Sequence, residues 1–291
     1  MPWNFPSEAC MKAKLLALAA LVAISLTAVA AVPASSHVVV VVEENHSYAN
    51  VIGNPAMPYL NSLANSYSLL TAYYADAHPS IGNYFEMTTG NVITNNDSFT
   101  STISNDNIVR HLLTAGKTWK SYAESLPSVG YTGGNTGYYF KRHDPFAYFS
   151  DVANSSVEKQ RLVPFTQFSK DLANHALPNF SFIAPNILHD AHDGTLAAAD
   201  AWLKANIAPL LSNSEFTTNG LLIIVFDESV VSDTAHGGGH VAAIVIGPKV
   251  KRGFKYGGMY KHESTLRTIL DALGVNHNLG NAATATPFNV F

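Results

Sequence analysis

The amino-acid sequence predicts an α/β fold in which a mostly parallel central sheet is flanked by helices. Several short runs are almost wholly apolar, which is typical of strands buried on both faces. Segments with apolar residues at helical spacing alternate with these runs. Polar clusters follow the ends of the runs, where open sheets of this class bind their ligands. These observations favour one sheet with a site along the carboxyl ends of its strands.

Four runs are predicted as buried strands and four segments as helices. The runs are rich in Val, Ile, Leu and Phe and end at acidic residues, Pro or Gly. The predicted strands cover residues 37–42, 179–184, 221–226 and 241–246. The predicted helices cover residues 58–66, 84–89, 195–211 and 262–273, and Gly274 closes the last one.

The segment from about residue 90 to residue 163 differs from the rest of the chain. It is rich in Asn, Ser, Thr, Gly and Tyr. We expect loops and short elements inserted on the strand-end side, where they form a lid or one wall of the site. The strands before and after this insert belong to one sheet, so residues 35–291 are predicted to form a single domain.

The N-terminus has the pattern of a secretion signal. Lys12 and Lys14 precede an uncharged apolar stretch over residues 15–29, and small residues allow cleavage near its end or at Ala34. We therefore expect a signal peptide over residues 1–34 and a secreted or periplasmic protein. A membrane anchor is the alternative, but the stretch is short, so no stable membrane span is expected after cleavage.

Charge and cysteine usage exclude several classes of protein. The formal net charge is −4, whereas nucleic-acid binders usually carry a basic excess, so no nucleic-acid partner is expected. The single cysteine, Cys10, lies within the predicted signal peptide, so the mature chain would contain no disulfide. Its stability must then come from its core and from any bound metal. The sequence does not indicate an oligomeric state.

Two acidic clusters directly follow predicted strands. Glu44 and Asn45 come after the first strand, and Asp227 and Glu228 come after the third. Carboxylate and amide oxygens suit a hard divalent cation such as Ca²⁺, Mg²⁺ or Mn²⁺. Either cluster alone could be an ordinary acidic turn, but two clusters at equivalent positions favour a metal site. Glu43 neighbours Glu44 in an extended chain and points the other way, so one ligand is expected from this pair.

A further candidate is Ser80, which lies in the segment HPSIGNY at residues 78–84, before a predicted helix. The N-terminus of a helix presents free N–H groups and a positive dipole end that suit a phosphate. A serine there can attack phosphorus if a metal lowers its pKa, and the amide of Asn83 would face the same ligand. The alternative is that Ser80 only caps the helix.

Three histidines are candidates for acid–base or phosphate-binding roles. His189 and His192 are three residues apart, beside two aspartates that follow a predicted strand, and His240 follows three glycines. A phosphatase needs positive charge near the non-bridging oxygens and an acid for the leaving oxygen, and imidazolium can serve either purpose. For each one the alternative is an ordinary hydrogen-bonded surface histidine. No role is assigned to His46, His111, His143, His175, His236 or His277.

Five segments together form a pattern that resembles a known family. In chain order they are HVVVVVEENHSYANVIG at 37–53, HPSIGNYFEMTTG at 78–90, FDES at 226–229, GGHVAAIVIGP at 238–248 and HESTLRTILDALG at 262–274. On these motifs the chain resembles the bacterial phosphoesterase family of secreted acid phosphatases and phospholipases C, within the alkaline phosphatase-like superfamily. It is most similar to the branch that includes secreted phosphatidylinositol 3-phosphate phosphatases. The resemblance implies an alkaline phosphatase-like phosphoesterase domain over residues 35–291.

The resemblance also implies roles for individual residues. A divalent metal would be held by Glu44, Asn45, Ser80, Asp227 and Glu228. Catalytic roles fall on Ser80, His189, His192 and His240, and substrate binding falls on Asn83 and His240. Phospholipase C members have Thr in place of Ser80, Pro-Asn-Arg in place of residues 82–84, and Asp-Gly in place of Val230-Val231. These departures favour the phosphatase branch.

The sequence therefore predicts an acid phosphatase: a secreted, metal-dependent phosphomonoesterase with a serine nucleophile and a phosphoserine intermediate. The expected partner is a small-molecule or lipid phosphate ester, including phosphoinositides. One alternative is a phospholipase C-type phosphodiesterase with a lipid-facing surface of aromatic side chains from the insert. These side chains are Tyr138, Tyr139, Phe140, Phe146, Tyr148 and Phe149. A second alternative is a secreted carbohydrate- or metal-binding module without catalytic activity.

Overall fold

The computed structural model of the protein describes residues 1–3 and 31–291. Most of the predicted signal peptide, including Lys12 and Lys14, lies outside the described residues. The backbone is bonded to the rest of the domain from Ser35 onward, where the Ser35 N–H donates to the Ala272 carbonyl at 2.7 Å. None of the helices in the described ranges has the length and hydropathy that a membrane span requires.

One sheet of eight strands forms the centre of the described chain. The strands are β1 His37–Glu43, β2 Ser68–Tyr74, β3 Trp119–Ala123, β4 Leu162–Pro164, β5 Phe180–Ala184, β6 Gly220–Phe226, β7 His240–Ile246 and β8 Phe254–Tyr256. Their order across the sheet is β4-β3-β5-β1-β6-β7-β2-β8. Only β7 runs antiparallel to its neighbours β6 and β2, and the other pairings are parallel. The predicted mostly parallel sheet is confirmed.

Helices connect the strands and cover the sheet. They are α1 Tyr48–Val51, α2 Pro58–Ser66, α3 Ile81–Thr89, α4 Ile108–Thr114, α5 Ser150–Ala153, α6 Thr166–Ala173, α7 Leu196–Asn206, α8 Ala208–Ser212, α9 Ser214–Asn219 and α10 His262–Leu273. Every residue of β6 is buried, so both faces of the sheet are covered. The four predicted strands are confirmed as β1, β5, β6 and β7.

Two predicted helices have the observed bounds, and two differ. Helices α2 and α10 begin and end where the periodicity predicted. Helix α3 begins at Ile81 rather than at residue 84, because the backbone of Ser80 is already helical. The helix predicted over residues 195–211 is divided at Ile207 into α7 and α8. Pro209 lies in the first turn of α8, where its missing N–H leaves no donor unsatisfied.

The insert from about residue 90 to residue 163 contributes more to the fold than its composition suggested. It supplies β3 and β4, and β3 pairs with β5 in the register Ser121↔Phe182. Strand β3 mixes polar with apolar residues and β4 has only three residues, so neither forms a recognisable apolar run. The aromatic residues Tyr139, Phe146, Tyr148 and Phe149 are at most 2% exposed, and Tyr138 is 53% exposed. Most of the aromatic surface proposed for lipid contact is therefore core.

The five valines of β1 test how strongly the sheet depends on its central strand. Val40 is 1% exposed, whereas Val231, in the loop after β6, is 80% exposed. We expect Val40→Ala to lower the free energy of unfolding by about 2 kcal/mol, because it removes two buried methyl groups and leaves a cavity. Val231→Ala, the matched control, should change it by less than about 0.5 kcal/mol. Urea denaturation measures both, and equal effects would contradict a core role for β1.

Candidate active site

The two acidic clusters meet at one edge of the sheet. Strands β1 and β6 are parallel neighbours with Glu43 opposite Phe226, so Glu44 and Asp227 leave the sheet side by side. The Asp227 N–H donates to the Glu43 carbonyl at 2.9 Å, and the Asn45 N–H donates to Asp227 Oδ1 at 3.2 Å. The structure thus brings together residues separated by most of the chain.

Ser80 lies against these carboxylates. It is 1% exposed, and its hydroxyl oxygen is 3.0 Å from Glu44 Oε2 and 3.1 Å from Glu228 Oε1. It immediately precedes α3, but its side chain makes no capping hydrogen bond. The first N–H of α3, from Ile81, donates instead to Asp97 Oδ1 at 3.1 Å. The hydroxyl is therefore held by acidic groups rather than used as a helix cap.

Glu44 also contacts His143, to which the sequence assigned no role. Tyr84 donates its hydroxyl to Glu44 Oε1 at 2.5 Å, and His143 Nε2 lies 3.2 Å from the same oxygen. His143 Nδ1 lies 3.2 Å from Asp190 Oδ2. His143 belongs to the 3₁₀ turn Lys141–His143, which the fold places against Glu44. No local sequence signal distinguishes it, because its position depends on this long-range packing.

An imidazole-containing cluster adjoins the oxygen-only cluster. Glu44, His143 and His192 each offer a ligand atom, and these atoms lie within 4.8 Å of one another. His192 Nδ1 is 2.7 Å from Asp193 Oδ1, a contact that fixes the orientation of the ring. Two histidines, His189 and His192, follow β5, and it is His192 that has a ring nitrogen within 4.8 Å of a Glu44 carboxylate oxygen.

The side chains of Asn83 and His189, which were also predicted as site residues, contact other parts of the chain. Asn83 Oδ1 accepts hydrogen bonds from the N–H groups of Asp76 and Ala77 at 2.9 and 3.0 Å. Its Nδ2 donates to the Ala77 carbonyl at 2.8 Å, so the amide is fully engaged in holding the loop before Ser80. His189 Nδ1 is 2.9 Å from Glu124 Oε2, and the side chain is 38% exposed.

His240 begins β7 at the same edge of the sheet because β7 is antiparallel to β6. The loop over residues 227–239 contains no crossover helix, which a parallel connection would require. The ring of His240 stacks on Tyr48 with 4.4 Å between ring centroids, and its Nε2 is 3.0 Å from the Thr71 carbonyl. Among the described contacts, His240 touches neither Ser80 nor the carboxylates.

Burial and mutual repulsion raise the pKa values of the acidic groups. Burial raises the pKa of Asp227 to about 7. Burial, together with the charge of Asp227, raises the pKa of Glu228 to about 9. The pKa of Glu44 is raised well above its usual range by burial and then by the charge of Asp227. These shifts mean that burial and mutual repulsion oppose full ionisation of the cluster, which a proton or a bound cation can relieve.

The residues present fit a divalent metal ion. Glu44, Asp227 and Glu228 offer carboxylate oxygens, and Ser80 offers a hydroxyl, the donor set that hard cations prefer. Asp227 Oδ2 is buried and has no hydrogen-bond partner among the described residues, as expected of an atom reserved for a ligand. Glu43, on the other side of β1, is fully buried, and neither of its carboxylate oxygens has a partner in the described chain.

Solved structures with this architecture belong to the alkaline phosphatase superfamily. A member of that superfamily from Vibrio parahaemolyticus aligns over 87% of this chain and 71% of its own, with a TM-score of 0.60 at 15% identity. A phosphonate monoester hydrolase from Silicibacter pomeroyi aligns over 87% of this chain and 76% of its own, with a TM-score of 0.57 at 12% identity. The predicted alkaline phosphatase-like fold is confirmed.

Sequence comparison identifies the family within this fold. The model of the Phosphoesterase family matches residues 54–276. A phosphatidylinositol-3-phosphatase from Mycobacterium tuberculosis is 35% identical over 262 residues, which cover 89% of this chain and 84% of the relative. A phosphate-repressible acid phosphatase from Penicillium chrysogenum is 32% identical over 220 residues, or 72% of this chain and 53% of the relative. An acid phosphatase from Aspergillus fumigatus is 32% identical over 238 residues, which cover 78% of this chain and 52% of the relative.

The chain therefore belongs to the phosphoesterase family, and the predicted class of phosphoric ester hydrolase is confirmed. It spans about half the length of these two fungal relatives.

The acidic cluster makes stability depend on pH and on added metal. The pKa of Asp227 rises from 3.8 to about 7, and that of Glu228 rises from 4.5 to about 9. The folded protein therefore holds protons that the unfolded chain releases, and this contribution to stability is lost as the pH rises from about 4 to about 9. We expect the melting temperature of EDTA-treated protein to fall between about pH 5 and about pH 9.

Added Mg²⁺, Ca²⁺ or Mn²⁺ competes with those protons, so it should raise the melting temperature more at the higher pH. Glu228→Gln should flatten the pH dependence, whereas Glu215→Gln, on α9, should not. A melting temperature that is independent of pH, with no response to any of the three ions, would exclude a metal site here.

Proposed function

We propose that this chain is a metal-dependent phosphomonoesterase in which Ser80 is the nucleophile. The observation that carries the proposal is the position of the Ser80 hydroxyl, which lies between Glu44 and Glu228 at 3.0 and 3.1 Å and makes no capping bond. A serine that serves only the helix would direct its oxygen to the N–H groups of the first turn. This one is directed to the acidic cluster.

The metal would be held by Glu44, Asp227, Glu228 and Ser80, with Asn45 beside them. When bound, a divalent cation supplies the positive charge that lowers the pKa of a hydroxyl and stabilises the phosphoryl oxygens. Tyr84, through its hydrogen bond to Glu44 Oε1, orients this carboxylate. His78 does the same for Glu228, since its Nδ1 lies 2.5 Å from Glu228 Oε2.

The chain's own residues then carry the reaction. Ser80 Oγ gives its proton to Glu228 Oε1, 3.1 Å away, as it attacks phosphorus. The bond from Oγ to phosphorus forms while the bond from phosphorus to the ester oxygen breaks. Water then attacks the phosphoserine and releases inorganic phosphate. We assign protonation of the leaving oxygen to His192, whose Nδ1 is held by Asp193. Arg142 donates to His192 Nε2 at 2.9 Å, so the substrate has to displace this contact first.

The substrate we propose is a phosphate monoester, either a phosphoinositide or another organic phosphate. The names of the relatives support this choice, since one is a phosphatidylinositol-3-phosphatase and others are acid phosphatases. The burial of most aromatic residues in the insert argues against a phospholipase C surface. Convergence of Ser80 with Glu44 and Glu228 argues against a binding module without chemistry.

We also retain the proposal that the protein is exported after removal of residues 1–34. The basic and apolar composition of that segment supports it, and so does the first backbone bond of the folded domain at Ser35. N-terminal sequencing of the protein from a bacterial host's periplasm or medium would test it. An intact N-terminus in a cytoplasmic fraction would contradict it.

Hydrolysis of para-nitrophenyl phosphate from about pH 5 to about pH 8 tests the proposed function. We expect turnover that EDTA removes and one of Ca²⁺, Mg²⁺ or Mn²⁺ restores, because the carboxylates cannot position Ser80 and a phosphate dianion without a cation. Bis(para-nitrophenyl) phosphate is the matched diester. A preference for the diester would favour the phosphodiesterase alternative, and no turnover of either ester by folded protein would contradict the proposal.

Substitution of the nucleophile gives the sharpest prediction. Ser80→Ala should lower kcat by more than about 10³-fold, because the covalent step has no other hydroxyl at this position. The fold should persist, since the hydroxyl contributes no cap. Ser169→Ala, an exposed serine of α6, is the control and should keep full activity. Near-normal turnover by Ser80→Ala would show that another group attacks phosphorus.

A further inference from the structure

Arg142 lies beside the acidic cluster, and neither the sequence motifs nor the reaction described above uses its charge. It is 8% exposed and directly precedes His143, which contacts Glu44. Its guanidinium carbon lies 4.5 Å from the centre of the Phe140 ring, so the planar group is held flat against an aromatic face. Arginine is seldom buried to this extent, so the partners of its guanidinium decide what it does here.

The hydrogen bonds of this guanidinium are incomplete. Nη2 donates to His192 Nε2 at 2.9 Å. Nε is 3.3 Å from Asp97 Oδ2, but it is buried and makes no hydrogen bond of acceptable geometry in the described chain. A guanidinium has five N–H donors, so one hydrogen bond to His192 and one ion pair with Asp97 leave donors for a ligand. A buried cation with open donors costs free energy unless an anion completes it.

The open donors lie close to the place where Ser80 reacts. Asp97, which pairs with Arg142, also accepts the N–H of Ile81, the residue that follows Ser80. Arg142 and the start of α3 are therefore joined through one carboxylate. The guanidinium thus lies between His192, which accepts from Nη2, and the carboxylate of Asp97 that bonds the start of α3.

We propose that Arg142 binds the phosphoryl group of the substrate and makes the site selective for monoesters over diesters. The inference rests on the proposed function, since it assigns the charge that the reacting phosphate meets opposite the carboxylate-held cation. A guanidinium donates two parallel N–H bonds to phosphate oxygens, a geometry that lysine cannot reproduce. A monoester dianion has three unesterified oxygens, so oxygens remain for Arg142 when others face the carboxylate cluster.

A diester has one fewer free oxygen and one fewer charge, so it gains less from the positive charge of Arg142.

Binding of the phosphoryl group by Arg142 would also change its contact with His192. As Nη2 moves from the imidazole to the phosphate, His192 Nε2 loses its donor and becomes available to hold a proton for the leaving oxygen. Arg142 therefore links substrate binding to the acid that the reaction needs.

Arg142→Gln and Arg110→Gln provide the test. Arg110 also pairs with an aspartate, Asp151 at 2.8 Å, and is the matched control. The measurements are kcat/KM for para-nitrophenyl phosphate and its bis ester, and the affinity for inorganic phosphate by calorimetry in the presence of metal. We expect Arg142→Gln to lower the monoester value by about 100-fold or more and to change the diester value little. Phosphate affinity should fall about tenfold or more.

Arg110→Gln should match the wild type in all three measurements. Arg142→Lys, which keeps the charge, should recover part of the phosphate affinity but little of the monoester preference. It also serves if Arg142→Gln does not fold, as judged by thermal unfolding. If the wild type cleaves only the monoester, loss of that activity together with weaker phosphate binding supports the proposal.

Equal losses on both esters with unchanged phosphate affinity would overturn the proposal and leave Arg142 as a structural link between Asp97 and His192. If the wild type cleaves neither ester, the proposed function fails by itself. The phosphate affinities of the wild type and the two Arg142 variants then still decide whether this residue binds the anion.

Discussion

The parallel pairing of β1 with β6 is the constraint on which the site depends. Because Glu43 lies opposite Phe226, the next residue of each strand, Glu44 and Asp227, emerges at the same edge. The backbone hydrogen bonds between the two strands hold this register, and the Asp227 N–H extends them by donating to the Glu43 carbonyl at 2.9 Å. The core thereby forces acidic groups together at a place where their charges repel, and the stability of the sheet offsets that cost.

Basic side chains at this edge of the sheet contact the acidic groups. His78 contacts Glu228, and His143 lies between Glu44 and Asp190. Burial lowers the pKa of His143 well below its usual range, and the nearby charge of Arg142 lowers it further. His143 therefore supplies hydrogen-bonding capacity rather than charge at neutral pH. A permanent positive charge on this side of the cluster comes from Arg142, and the metal ion that we propose would supply more.

Local sequence predicted the parts of the molecule whose signal is itself local. Continuous apolar runs predicted β1, β5, β6 and β7, and a turn before a helix pointed to Ser80. Strands β3 and β4 were missed because they are short and depend on long-range pairing, β3 with β5 and β4 with β3. His143 and Arg142 were missed for a related reason, because a 3₁₀ turn acquires a role only when distant strands bring it to Glu44. Residue spacing along the chain also cannot predict where a side chain points. His189 contacts Glu124, and Asn83 bonds the loop before Ser80.

The loop that carries Ser80 is clamped from two sides, which explains the glycine run before β7. The Gly238 N–H donates to the Ala75 carbonyl at 3.0 Å, so this run is bonded along the start of the loop. A Cβ at Gly237 or Gly238 would overlap the carbonyls of Asp76 and Ala77, and Gly237 has a φ of +116°. Asn83 bonds the same stretch from the side of α3.

Glycine is therefore needed at positions 237 and 238 because the backbone of the Ser80 loop passes too close for a side chain, and not because the chain bends there. The serine hydroxyl is thereby fixed against the carboxylates before any substrate arrives. If Ser80 is the nucleophile, as we propose, it would lose little further freedom on reaction, which is the main entropic advantage that a folded site offers.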